Sequence, residues 1–227
     1  MKAQARWQRP RRVSVVANKS SWILPYAEDL VSSLTNNNER AILCRSYNEM
    51  QKGDVAFFLG CIEIASPETL ALNRINLVVH ASDLPKGRGH APLVWQILEG
   101  HNEIPVCLFK AILQVDSGPV IFREKLVFGG HELLDEMREA LGKMTVSLCK
   151  RFLAELEPPE GEPQRDEATY YPRRTPVDSR LDPRRSLAEQ FNLLRTVDNI
   201  RHPAFFEMHG FRYKMTIEKM PMGDISG

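Results

Sequence analysis

Short apolar runs and helically spaced segments take turns along the first hundred residues. The runs at 12–17, 41–44, 54–60 and 75–80 are rich in Val, Ile, Leu and Phe and read as buried strands. After the first of them, Ile23, Tyr26, Ala27, Leu30, Val31 and Leu34 recur every three or four residues. They predict a helix over 22–34, capped by Ser20 or Ser21, with Pro25 in its first turn. Ser66 and Pro67 open a short helix, and residues 92–98 form another, stopped by Gly100. Farther on, 104–115 and 120–122 read as strands on either side of an Asp116-Ser117-Gly118 break. A long helix over 132–156 follows, its buried stripe made by Leu134, Met137, Leu141, Met144, Leu148 and Phe152. Apolar strands alternating with helices predict an α/β body: a Rossmann-like, mostly parallel sheet with helices on both faces.

The pattern changes at residue 158. Residues 158–180 are polar and proline-rich and read as a connector. Beyond it, Leu187, Phe191, Leu194 and Val197 mark a short helix, and 211–219 alternates with period two as a late strand. The expected organisation is a body over 1–157, a connector over 158–180 and a C-terminal extension over 181–227.

Charge narrows the partners. Lys and Arg total 30 against 29 Asp and Glu, a net charge of +1, so no global excess steers the chain to nucleic acid or an acidic membrane. No apolar run approaches the ~18 residues of a membrane span. Lys2, Arg6, Arg9, Arg11 and Arg12 sit in an N-terminus that lacks the apolar stretch of a signal peptide, and they read as a solvated tail. Cys44, Cys61, Cys107 and Cys149 make no Cys-x-x-Cys pair, and the histidines show no metal-ligand spacing with them. Free thiols in a reducing compartment, the cytoplasm, and no metal are the expectation.

The chemistry-bearing stretch runs from Asn76 to Pro92. A strand ends in His80, and a loop holding Ser82, Pro85, Gly87, Arg88 and Gly89 follows. In an open parallel sheet, ligands gather at the carboxyl ends of strands, so His80 stands where sites are built. Asp116 follows another apolar strand, and the two make a candidate proton-transfer pair. A structural histidine and an ordinary Asp-Ser-Gly turn are the alternatives. No Gly-x-Gly-x-x-Gly follows the first strand, which disfavours an NAD-type site.

In combination, His80-Ala81-Ser82-Asp83-Leu84-Pro85, then Arg88-Gly89-His90-Ala91-Pro92, Trp95 to Gly100 and Asp116-Ser117-Gly118 resemble the 10-formyltetrahydrofolate-dependent formyltransferase family. The resemblance is strong over 54–123 and weaker over 12–157. It implies the Rossmann-like fold already read, and N10-formyltetrahydrofolate as co-substrate. It also implies an Asn, a His and an Asp acting on the formyl group. His80 and Asp116 match two of these, with Asp116 orienting the imidazole. The family places its Asn two residues before the His, where this chain has Val78. Asn76, four before, lies about 7 Å farther down the strand and serves only if a bulge brings it forward. The resemblance also gives the pterin a pocket walled by Ile62, Ile64 and Val115, next to Asp116, and offers Arg88 to an acidic group of either substrate.

The segments 171–179, 194–199 and 203–206 look like those that follow the catalytic domain in sugar-nucleotide N-formyltransferases. That implies a nucleotide-linked amino sugar as acceptor, formylated for a surface polysaccharide, rather than a transfer RNA. Arg173, Arg174 and Arg195 become candidate diphosphate contacts. Tyr170, Tyr171 and Phe205 can stack on a base or pack internally, and the late elements can pair two subunits as a homodimer. A hydrolase releasing formate and a non-catalytic binding homologue stand as alternatives.

Overall fold

The computed structural model describes Trp7 and residues 9–221; Lys2 and Arg6 lie outside them. Strands β1 (Arg12–Val16), β2 (Arg40–Cys44), β3 (Gly53–Phe58) and β4 (Asn73–His80) form the parallel part of a six-stranded sheet. A two-residue strand, β5 (Arg88–Gly89), follows outside this sheet, and β6 (Glu103–Lys110) and β7 (Val120–Val127) complete it in the order β2-β1-β3-β4-β6-β7. The mostly parallel α/β reading holds. β6 alone is reversed, antiparallel to both β4 and β7. A short helix lies between β4 and β6. Given α1 (Leu24–Asn36) and α2 (Pro67–Ala71), it is α3 (Pro92–Leu98). Length alone does not set this reversal, since the still shorter α2 joins the parallel pair β3 and β4. The chain after α3 enters β6 beside His80 and runs down β4, with Cys107 opposite His80 and Lys110 opposite Leu77.

Strand parity divides the core. Val13, Val15, Val55, Phe57, Leu77, Ile104, Val106 and Leu108 face α1, α3 and the long α4 (Leu134–Ala154), whose Met137, Leu141, Leu148 and Phe152 are buried. The opposite face carries Val16, Ala56, Phe58 and Val78, and only α2 and a 3-10 turn at Tyr47–Glu49 cover it there. Helices therefore lie on both faces, but unequally. Asn76, Val78 and His80 share the thinly covered face, where Leu84, Cys107, Phe109 and Val120 form a small cluster.

Two local expectations change. No serine side chain caps α1: its N-cap is Ile23. The basic N-terminus is not all solvated: Arg11 is 1% exposed and pairs with buried Glu39 beneath Trp7. By contrast, Ser66 does cap α2, its hydroxyl accepting from the Thr69 amide.

After α4 the chain crosses to the thin face. Glu162 exchanges two backbone hydrogen bonds with Val120, and β8 (Tyr170–Tyr171) pairs in parallel with β5. The segment 158–180 is thus bound to the body rather than a free linker. The extension holds α5 (Phe191–Arg195) and a hairpin of β9 (Ala204–Met208) and β10 (Phe211–Met215), with a small core of Leu181, Leu194, Val197 and Ala204.

Candidate functional site

β4 delivers His80 to the rim of the sheet, 9% exposed, its ring edge-on to Phe109 of β6. Its Nε2 lies 2.8 Å from the Gly87 carbonyl oxygen. A carbonyl only accepts, so the proton resides on Nε2 and Nδ1 is left as the working nitrogen. The loop from Ala81 to His90 curls back over the ring. Its glycines are dictated by the geometry. At Gly89, φ is +97°, and a Cβ would collide with the Tyr171 carbonyl oxygen. Gln96 on α3 ties the start of the loop, donating from Nε2 to Ala81 O at 2.7 Å.

Asp116 sits in the β6–β7 loop with φ +52°, a conformation that Asp and Asn tolerate better than most residues. Gly118 closes that loop so tightly that a Cβ there would overlap the Lys110 carbonyl oxygen. The Asp116 carboxylate accepts from the Gly89 amide at 2.9 Å. His80 and Asp116 therefore meet the same short turn, one at Gly87 and one at Gly89. Among the described residues no hydrogen bond or ion pair joins them directly. The expected His–Asp pair is in fact two groups fastened to one backbone turn.

The third expected member does not join them. The β3–β4 register runs without a shift from Gly53↔Asn73 to Phe58↔Val78, so no bulge advances Asn76. Its amide instead donates to Leu70 O at 2.8 Å and braces α2. Asn76→Ala should lower the melting temperature by a few degrees, as loss of about 1 kcal/mol does in a chain of this size, and leave turnover within about twofold. A large fall in turnover with an unchanged melting temperature would return Asn76 to the chemistry.

The expected pterin walls lie outside the core. Ile62, Ile64 and Val115 are 60%, 71% and 46% exposed, the first two in the loop after β3 and the third in the loop after β6, which leaves the sheet beside Leu77 and Asn76 of β4. Ile112 and Leu113 stand exposed in the second of these loops. Exposed apolar side chains in loops are what a flat, partly apolar ligand requires. A separate cleft of about 570 Å³ opens beside the turn at Asp83–Lys86. It is polar, lined by Asp83, Lys86, Arg123, Glu162, Arg165 and Asp166.

Three of the four expected substrate arginines are otherwise engaged. Arg88 is 8% exposed and donates to the Gln164 amide oxygen at 2.6 Å and the Tyr170 hydroxyl at 3.2 Å. Arg195 is 1% exposed and held by Asn102 and Asn192; burial pulls its pKa down. Both are buried and engaged internally, which leaves Arg88 closed to an acidic group of a substrate and Arg195 closed to a diphosphate. Arg174 donates to Asp178 O, and burial also lowers its pKa. Arg173 alone is plainly exposed. The candidate base-stacking rings have partners as well, although Tyr170 stays 66% exposed. Tyr171 stacks on Trp95 and bonds Glu99, Tyr170 lies under Arg88, and Phe205 lies under Arg212.

Two residues that sequence reasoning missed, Gln164 and Thr169, close the back of this site. Gln164 Nε2 donates to the carbonyls of Asp116 and Gly118, each at 2.9 Å, and Thr169 Oγ1 accepts from Gly87 N at 2.8 Å. Both lie in the proline-rich stretch, where no periodicity marks a side chain as turned toward the body; Gln164 is half-buried and Thr169 exposed. Among the described residues, no group of three His, Cys, Asp or Glu side chains is placed to hold a metal, and no helix is long and apolar enough to cross a membrane.

No family model matches the chain. A methionyl-tRNA formyltransferase from Dinoroseobacter shibae is 30% identical over 146 residues, 64% of this chain and 48% of that protein. The chain thus spans about half the length of this curated relative. In fold, the methionyl-tRNA formyltransferase from Clostridium thermocellum matches with TM-score 0.79 at 21% identity, over 93% of this chain and 94% of its own. A sugar N-formyltransferase from a Shewanella species matches with TM-score 0.66 at 13% identity, over 93% and 98%. HypX from Aquifex aeolicus, solved with tetrahydrofolic acid, matches with TM-score 0.70 at 15% identity, over 92% of this chain and 38% of HypX. The chain is similar in sequence to a formyltransferase and shares the Rossmann-like formyltransferase fold.

Proposed function

We propose that this protein is an N-formyltransferase that moves the formyl group of N10-formyltetrahydrofolate onto the amino group of a nucleotide-linked amino sugar. One observation carries the reading: His80 from the end of β4 and Asp116 from the β6–β7 loop are fastened to one turn, in a chain whose loops expose Ile62, Ile64 and Val115. The sequence similarity to a formyltransferase and the tetrahydrofolate-bound relative of the same fold support the donor.

In the reaction the amine nitrogen bonds to the formyl carbon, the bond from that carbon to N10 breaks, and N10 ends with a proton. His80 Nδ1 faces the two demands this makes. Neutral, it accepts the proton shed by the attacking amine; protonated, it donates to the formyl oxygen on which negative charge builds. The Asp116 carboxylate offsets the positive charge that develops on the amine and the imidazole. The rigid turn between them holds both groups in one frame, so little reorganisation is needed during transfer. Ile62, Ile64 and Val115 give the pterin an apolar bed.

The acceptor is inferred from the C-terminal segments and from charge. A net charge of +1 leaves no electrostatic footprint for a transfer RNA, and a sugar N-formyltransferase shares the fold nearly end to end. The similarity to methionyl-tRNA formyltransferases favours a second reading, with an aminoacylated tRNA as acceptor. We place the reaction in a reducing cytoplasm, where four free cysteines are stable. The exposed Met208, Phe211 and Tyr213 of the hairpin are the face we assign to a homodimer.

The test is tetrahydrofolate release from the formyl donor, measured alone, with a panel of amino-sugar nucleotides, and with methionyl-tRNA. Release that depends on a sugar nucleotide is the expected result. Release that depends on the tRNA supports the second reading, release without any acceptor means a hydrolase, and no release under any condition removes the catalytic reading.

A further inference from the structure

The connector contributes a side chain that reaches the candidate site from behind. Gln164 accepts from the buried Arg88 guanidinium through Oε1 and donates through Nε2 to the carbonyls of Asp116 and Gly118. No carboxylate lies within ion-pairing distance of Arg88 among the described residues, so its charge is felt mainly by this amide and the Tyr170 ring. A cation on the acceptor end of an amide strengthens the bonds its N–H groups give. Those bonds hold the backbone on both sides of Ser117, where Asp116 is kept at positive φ.

We propose that Gln164 is a positioning residue for Asp116: a relay from Arg88 through Gln164 fixes the β6–β7 loop in the one arrangement that aims the carboxylate at the His80 turn. None of the three remaining anchors replaces it. Gly89 N holds the Asp116 side chain but not its backbone, Ser117 Oγ donates to Gln114 O within the loop itself and ties it to nothing outside, and the Lys110–Pro119 backbone bond closes the loop only at its base. Thr169 completes the strap by accepting from Gly87 N, so one segment, 162–171, braces the turn and the loop together. The proposal rests on the formyl-transfer reading for its kinetic consequence, but not for its structural one.

The experiment uses the full chain and the variants Gln164→Ala, Gln164→Glu, Asp116→Asn and the double Gln164→Ala/Asp116→Asn. Steady-state turnover is read beside amide hydrogen exchange of residues 111–119. Gln164→Ala is expected to lower kcat about 10- to 100-fold while KM for the acceptor changes less than about threefold, since orientation is lost and binding is kept. Gln164→Glu retains the bond to Arg88 but its carboxylate cannot donate to two carbonyls, so kcat should fall as far even where the melting temperature is restored. Adding Gln164→Ala to Asp116→Asn should cost nothing more, because both act through one group. Exchange in 111–119 should quicken in Gln164→Ala, with the strands of the sheet unchanged. A Gln164→Ala variant with undiminished kcat, or two losses that multiply in the double variant, overturns the proposal. Should the unmodified chain transfer no formyl group at all, the functional reading falls, and the exchange data decide the relay alone: unchanged protection of 111–119 then overturns it.

Discussion

Replacing His80 with alanine is expected to reduce formyl transfer by about 10²- to 10⁴-fold, the range over which a positioned acid–base group acts. The same change removes the donor to Gly87 O and leaves a buried carbonyl unpaired, which costs about 1–3 kcal/mol. For a chain of 227 residues that is a melting temperature lower by roughly 2–12 °C. Stability and catalysis are therefore confounded in alanine and separated in glutamine. The His80→Gln change places an amide donor near the position of the imidazole Nε2 while offering no titrating nitrogen. It should recover most of the melting temperature and none of the turnover. Recovery of turnover with glutamine would reduce His80 to a structural hydrogen-bonder.

Asp116→Asn is expected to cost about 10²- to 10³-fold in turnover with little loss of stability. Asparagine tolerates the left-handed backbone at this position, and its side-chain oxygen still accepts from Gly89 N. What disappears is the negative charge. Without it, the positive charge that builds during attack loses the carboxylate that offsets it. Asp116→Ala tests the other half of the argument: it removes the acceptor for Gly89 N and should disturb the turn that His80 leans on. An Asp116→Asn protein with full activity would leave the carboxylate a purely structural role.

The strands were legible because burial on both faces forces continuous apolar runs, as in Val13 to Val16 and Val55 to Phe58. The reversal of β6 was not, because hydrophobicity carries no direction, and helix length does not supply one: the shorter α2 joins two parallel strands. His80 stood out through its place at the end of an apolar strand; Asp116 stood out through the surrounding motif, since the strand expected over 104–115 ends at Lys110 and the apolar residues before Asp116 lie in an exposed loop. Asn76 misled because parity alone puts it on the right face, while the register that fixes its depth depends on β3. Arg88 and Arg195 misled for another reason. Charge in a polar stretch reads as exposed, yet both are buried with amide partners drawn from distant segments, Gln164 for one and Asn102 for the other. The connector failed the same way: its prolines disguise a segment that pairs with β5 and closes the back of the site.

The most direct measurement is the mass of the acceptor after incubation with the unmodified chain and N10-formyltetrahydrofolate. The account predicts an amino-sugar nucleotide heavier by one carbonyl group, formed in step with tetrahydrofolate and missing when His80→Gln is used. Free formate without a formylated acceptor, or an acceptor formylated equally well by His80→Gln, would contradict it.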